Sequence, residues 1–149
     1  MTTDAEMDEV PFEALVGIKA LDAVDYDQTV ISKGYNRGDK TSSIRIRLSD
    51  VVYEATENPD DGYRSSMAYF KRLPKHTKMK NVFPAVLVEV SHDTGSNDLL
   101  IGIDLITRKE VFRIGTSNTD DYYPSYTDSF DPTAMVINQS HDKPKYGVK

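Results

Sequence analysis

The sequence predicts a mostly β chain, a small antiparallel barrel or sandwich built around a central meander over residues 82–114. Two stretches carry that expectation. The first runs Val82-Phe-Pro-Ala-Val-Leu-Val-Glu-Val-Ser-His, turns through Asp93-Thr-Gly-Ser-Asn-Asp and returns as Leu99-Leu-Ile-Gly-Ile-Asp-Leu-Ile. A second turn at Thr107-Arg-Lys leads into Glu110-Val-Phe-Arg-Ile. Three β-rich runs separated by turn residues read as an antiparallel meander. Val86, Val88 and Val90 alternate with Leu87 and Glu89, while Ile101, Ile103 and Leu105 alternate with Gly102 and Asp104. One face of each strand is therefore expected to be apolar, with Val86, Val88, Ile101 and Ile103 buried. The second stretch is Ser43-Ile-Arg-Ile-Arg-Leu-Ser, where Ile44, Ile46 and Leu48 point one way and Arg45, Arg47 and Ser49 the other. That is a half-buried strand.

Taken in order, residues 1–10 form an acidic N-terminal arm almost without apolar side chains. Residues 11–114 form the β domain. Pro11 suits a first helical position, and Phe12, Leu15, Val16, Ala20 and Ala23 recur at helical spacing, which allows a short helix. Val16, Gly17 and Ile18 favour strand instead, so strand character is preferred after Ala14. Thr29-Val-Ile-Ser is a short β-rich piece, and Gly34-Tyr-Asn-Arg-Gly-Asp-Lys is a loop whose glycines suit positive φ. Val51, Val52 and Tyr53 are expected to extend the preceding strand after a bulge. Glu57-Asn-Pro-Asp-Asp-Gly is a loop by its turn chemistry. Tyr63 to Phe70 reads as a short helix or strand, and 71–80 as a basic, Pro-interrupted loop. Residues 115–149 are expected as an extended C-terminal arm. Tyr122, Tyr123, Tyr126 and Phe130 are set into its polar, turn-rich sequence, and Ala134-Met-Val-Ile is a last short strand.

The length of 149 residues suits one domain with a real core, in about six or seven strands. No apolar run approaches the roughly 20 residues of a membrane-spanning helix. The start is acidic and lacks the basic and apolar regions of a secretory signal, so a cytoplasmic place or one within an assembled particle is expected. With no cysteine, disulfides, thiolate catalysis and cysteine metal sites are excluded. The net charge of −6 is uneven: residues 1–37 carry −5, residues 38–80 carry +3 and residues 82–149 carry −4. Only the basic middle would attract a polyanion.

Several short motifs invite chemistry. Asp93-Thr-Gly-Ser is similar to the active-site loop of aspartic proteases, and Leu100-Ile-Gly-Ile-Asp-Leu to a segment near the end of retroviral-type proteases. Only six residues separate Gly95 from Gly102, which leaves no room for that family's flap, and a glycine-containing hairpin turn accounts for 94–97. Ser-His-Asp occurs at 91–93 and again at 140–142, with His76 as the remaining histidine. Consecutive residues on a strand point to opposite faces, so neither string makes a triad by adjacency. There is no phosphate-binding glycine loop. Asn138-Gln-Ser matches a glycosylation sequon, which has no meaning without export. No catalytic residue, metal ligand or cofactor is expected.

The leading expectation is a non-enzymatic interaction or assembly protein that docks on partner chains or on itself. Small structural or inhibitory components of viruses and phages are of this kind. Its partner-binding residues would be Tyr122, Tyr123, Tyr126 and Phe130, because aromatic anchors are common at interfaces. The alternative is a single-stranded nucleic-acid-binding barrel resembling an OB-fold. Its cations would be Arg45, Arg47, Arg64, Lys71, Arg72, Lys75, Lys78 and Lys80, interleaved with Tyr53, Tyr63, Tyr69 and Phe70.

Overall fold

The computed structural model describes residues 9–31, 40–59, 64–67 and 69–139. The expected loop at 34–40, Tyr63 and the second Ser-His-Asp string lie wholly or almost wholly outside them. The described strands are β1 (Glu9–Val10), β2 (Gly17–Ile31), β3 (Lys40–Leu48), β4 (Val51–Thr56), β5 (Asn58–Pro59) and β6 (Ser65–Ser66). They continue with β7 (Phe70–Arg72), β8 (Val82–Asp93), β9 (Asp98–Asp104), β10 (Glu110–Ser117) and β11 (Ser125–Phe130). Nine of them form one antiparallel sheet in the order β1-β7-β4-β3-β2-β8-β9-β10-β11, and β5 pairs with β6 alone. The mostly β, antiparallel class and the central meander hold, with more strands than the sequence reading gave.

The sheet curls without closing into a barrel. Its last strand swings back over the middle: the Tyr26 hydroxyl on β2 donates to the Asp128 carbonyl on β11 at 3.3 Å. The rings of Phe83 and Phe130 stack at 6.3 Å between centroids. Inside the curl lie Leu21, Val24, Ile44, Ile46, Leu48, Val86, Val88, Val90, Leu100, Phe112 and Ile114, with Phe12 and Phe70 packed ring to ring at 5.1 Å. The outer edge of β11 is occupied as well. The Tyr126 N–H donates to Ser65 Oγ, and the Asp128 carbonyl takes the Tyr26 hydroxyl. A covered edge removes the template on which another chain's strand would pair.

Four expectations are corrected by non-local contacts. Ile101 and Ile103 are half-exposed, and the buried face of β9 is that of Leu100, Gly102 and Asp104. Gly102 is buried because the Phe112 ring of β10 lies over it, where any Cβ would overlap the ring. Asp104 is buried because its carboxylate accepts from the N–H groups of Ile106, Thr107 and Val136 at 2.7, 3.0 and 2.8 Å. Second, Val51–Tyr53 does not prolong the strand before it. Ser49 and Asp50 both take positive φ, 49° and 73°, and turn the chain back so that Leu48 pairs with Val51. That is the two-residue hairpin geometry, here without glycine.

Third, the expected boundary between 114 and 115 falls within β10, and β11 pairs along it from Phe112↔Phe130 to Ser117↔Ser125. Fourth, the strand expected at 134–137 is replaced by 3-10 turns at Pro132–Ala134 and Val136–Gln139. Asp131 caps the first through the Thr133 N–H, and Ala134 and Met135 are buried in the core. Near the N-terminus the short helix is one 3-10 turn, Phe12–Leu15, and strand begins at Gly17.

Candidate interaction surfaces

The outside of the sheet divides into two halves. On β2, β3 and β4 it is charged and internally neutralised. Arg47 grips Asp22 through two nitrogens at 2.7 and 3.2 Å, and Arg45 Nε donates to Glu54 at 2.9 Å. The Asp22 hydrogen bond and charge hold the Arg47 guanidinium above its ordinary value. Two of the expected nucleic-acid cations are therefore committed to carboxylates of their own sheet.

On β2, β8 and β9 the outside is aliphatic. Ile18 faces Glu89, which faces Ile103, and Ala20 faces Leu87. Leu105 continues the second row through its N–H to the Leu87 carbonyl. Ile101 lies between Ser91 and Arg113. Ile18 and Leu87 are 61% and 55% exposed, and Ile101, Ile103 and Leu105 are half-buried. Charges frame this surface in balanced pairs. Arg113 holds Glu110 at 2.9 and 3.0 Å, and Arg108 lies 4.0 Å from Glu89. Sequence reasoning missed this surface because it assigned Ile101 and Ile103 to the core.

The four aromatic residues of the expected partner site separate into two pairs. Tyr126 and Phe130 pack against the protein's own core, and the Tyr126 hydroxyl donates to Asp128 at 2.6 Å. Burial, then the Asp128 hydrogen bond and charge, push that hydroxyl's pKa far above the ordinary tyrosine value. Tyr122 and Tyr123 stay exposed, edge to face with each other at 4.7 Å, and Arg64 lies over the Tyr122 ring at 5.2 Å. These two retain the geometry of surface anchors.

The other expected cations, Arg64 apart, fall on one ribbon. Lys71, Arg72, Lys75, Lys78 and Lys80 are all exposed, as is His76. Among the aromatic residues expected beside them, Phe70 is buried, Tyr53 is half-buried and Tyr69 is 43% exposed. The ribbon borders a cleft of about 530 Å³ lined by Ser49, Asp50, Val51, Val52, Arg72, Leu73, Pro74 and Lys75.

The first Ser-His-Asp string, at 91–93, is tied into local contacts. His92 turns into the sheet's inner side. Its Nε2 lies 2.5 Å from Asp98 and its Nδ1 3.4 Å from Glu13, and its ring packs on Phe12 at 4.8 Å. It fastens the Phe12–Leu15 turn to the β8–β9 hairpin, while Ser91 faces outward. The carboxylate of Asp93 closes its own turn. Hydrogen bonds from Asn97 and then from the Gly95 N–H hold it below the usual carboxylate range. Among the described residues no group of three or more His, Cys, Asp or Glu side chains is placed to hold a metal ion, and no helix is long and apolar enough to cross a membrane. The chain matches no family model, no curated protein and no solved structure.

Proposed function

We propose that this chain is a non-enzymatic interaction protein, an assembly subunit that docks on protein chains and first of all on copies of itself. The observation that carries the reading is the aliphatic outer face of β2, β8 and β9, centred on Ile18, Leu87 and Ile103. Exposed aliphatic residues in contiguous rows are costly in water, and patches of this kind mark contact surfaces. A second copy is the occupant favoured by charge. The chain carries −6, yet this face pairs Glu89 and Glu110 with Arg108 and Arg113, so two copies meet there without net repulsion. A twofold contact brings each pair against its own counterpart. Because the β11 edge is covered, association by faces is favoured over strand addition.

Size sets the strength. Three strands about 4.8 Å apart and five residues at about 3.4 Å rise give a footprint of roughly 14 by 17 Å. That is less than half the roughly 800 Å² per partner of a standard stable interface. The contact belongs to the weak class, with micromolar or weaker affinity, and gains strength where several contacts act together. Tyr122 and Tyr123, exposed on a separate loop, supply a second contact of that sort.

Sedimentation velocity over micromolar to millimolar protein concentration tests the reading, on the native chain and on the double variant Ile18→Thr, Leu87→Thr. Threonine keeps strand preference and removes the aliphatic surface. The native chain should associate as concentration rises. The variant should remain monomeric with its fold intact. A native chain that stays monomeric throughout, or a variant that associates as the native chain does, refutes the proposal.

A further inference from the structure

A second surface, independent of the aliphatic face, has the chemistry of a polyanion site. Arg45, Arg47, His92, Arg108 and Arg113 form ion pairs with described carboxylates, and among the described residues Lys71, Lys75, Lys78 and Lys80 take part in none. In a chain with 24 acids against 18 bases, carboxylates are plentiful. Lys71 stands opposite Glu9 on β1 and Glu54 on β4, whereas Lys75, Lys78 and Lys80 follow on one short ribbon beyond the strand. Between Phe70 and Asn81 there is no acidic residue.

The ribbon is also fixed in place from below. At one end the Leu73 N–H donates to the Val52 carbonyl at 2.9 Å, and a turn closes from the Thr77 N–H to the Pro74 carbonyl at 3.0 Å. At the other end sits Asp25, 2% exposed. Its carboxylate accepts the Lys80 N–H at 3.0 and 3.1 Å and the Asn81 N–H at 3.1 Å, while the Val24 N–H donates to the Asn81 carbonyl. A buried carboxylate is costly to desolvate, so it is kept where its hydrogen bonds define a conformation. Here it anchors the backbone that presents Lys75, Lys78 and Lys80.

Beside the ribbon lie two concavities. The larger, about 530 Å³, has an apolar wall of Val51, Val52, Leu73 and Pro74 with Arg72 and Lys75 at its rim. The smaller, about 360 Å³, is lined by Tyr69 and Lys71 with Glu54, Thr56 and Asn58. Asp50 and Glu54 line these clefts, Glu54 being already paired with Arg45, and Glu9 adjoins the smaller one, facing Lys71 and hydrogen-bonded to Tyr69. Cations along a track, an exposed ring and an apolar recess are what an unpaired strand uses: phosphates follow the charges and bases settle on rings and apolar walls. A duplex would offer only its phosphates.

We propose that the ribbon from Lys71 to Lys80, with the two clefts beside it, binds single-stranded nucleic acid through its phosphodiester backbone.

The test is fluorescence anisotropy of a labelled oligothymidylate with the full chain, as a function of salt. With five cations engaged and a slope of about −0.7 per phosphate on single strands, affinity should fall about 100-fold between 50 and 200 mM salt. The variant Lys71→Gln, Lys75→Gln, Lys78→Gln, Lys80→Gln changes only exposed side chains and should melt as the native chain does. Its affinity should be far lower, and what binding remains should fall only about threefold over the same salt range. Tyr69→Leu should weaken binding about fivefold or more at unchanged salt slope. The proposal is overturned by no binding of the native chain at low salt, by an unchanged slope in the quadruple variant or by unchanged affinity in Tyr69→Leu. Equal binding of polyglutamate, of a duplex or of anionic lipid vesicles likewise overturns the single-strand assignment. Because none of these residues lies on the aliphatic face, failure here leaves the self-association reading to its own measurement.

Discussion

Strand β9 allows one substitution to be placed on either side of the same sheet. Leu100 is fully buried between His92 and Ile114, whereas Ile103 lies half-exposed on the outer face between Glu89 and Glu110. Lysine at 100 removes a buried leucine side chain, about 2–5 kcal/mol by truncation alone. It also places an ammonium group in the core, at several kcal/mol more. That sum reaches the roughly 5–15 kcal/mol by which a domain is stable, so Leu100→Lys should not fold cooperatively. Lysine at 103 costs only about half of an isoleucine's burial, on the order of 1 kcal/mol. It then stands directly opposite two carboxylates, and such cross-strand pairs return about 0.2–1 kcal/mol each. Ile103→Lys should therefore melt within about 4 °C of the native chain, while losing concentration-dependent association. Circular dichroism melts of the two variants, with sedimentation of the folded one, decide the matter. A folded Leu100→Lys, or an unfolded Ile103→Lys, would refute the assignment of faces and with it the proposed contact surface.

Other perturbations follow from the same contacts. Asp104→Ala should lower the free energy of unfolding in urea by about 3 kcal/mol or more, since it strands three N–H groups at about 1 kcal/mol or more each. A loss below 1 kcal/mol would mean that those groups find other partners. Tyr126 links stability to alkaline pH. Its folded pKa is raised, so the folded chain keeps a proton that the unfolded chain gives up above about pH 10. Stability should be constant with respect to this group below that pH and fall by roughly 1.4 kcal/mol per pH unit above it, a slope that Tyr126→Phe removes. Truncation after Ser117 deletes β11 and the buried Ala134 and Met135, and the shortened chain should fail to fold. A cooperative melt of that fragment would restore the reading of residues 115–149 as a detachable arm.

What was legible in the sequence depended on how local the deciding contact is. The meander was readable because period-two alternation and turn residues lie within the segment itself. The Ser49-Asp50 turn was not, because neither residue advertises positive φ as glycine does. The strand character of 125–130 was hidden because Ser-Tyr-Thr-Asp-Ser-Phe pairs through its backbone on β10 and shows no apolar alternation of its own. The basic residues were visible by composition. That Arg45 and Arg47 are spent on Glu54 and Asp22, while the 71–80 lysines are not, depended on strand register.

The misassigned face of β9 says the most about function. A strand with one wet side alternates cleanly between apolar and polar positions, and a strand covered on both sides reads as a nearly unbroken apolar run. Leu99 to Leu105 reads as the first kind: Leu99, Ile101, Ile103 and Leu105 are apolar at one parity, and at the other only Leu100 is, beside Gly102 and Asp104. Parity alone therefore pointed to the side that the structure leaves outward. Two contacts decide it, the Phe112 ring lying over Gly102 and the hydrogen bonds that take Asp104 inside. The chain's own core thus takes in Leu100, Gly102 and Asp104, while on the other side Leu99 is buried and Ile101, Ile103 and Leu105 stay half-buried on the outer face. An inward-facing glycine and aspartate beneath an outward aliphatic row is a costly arrangement for a lone domain. It becomes intelligible if the outer row has a cover of its own, which the proposed contact between copies supplies.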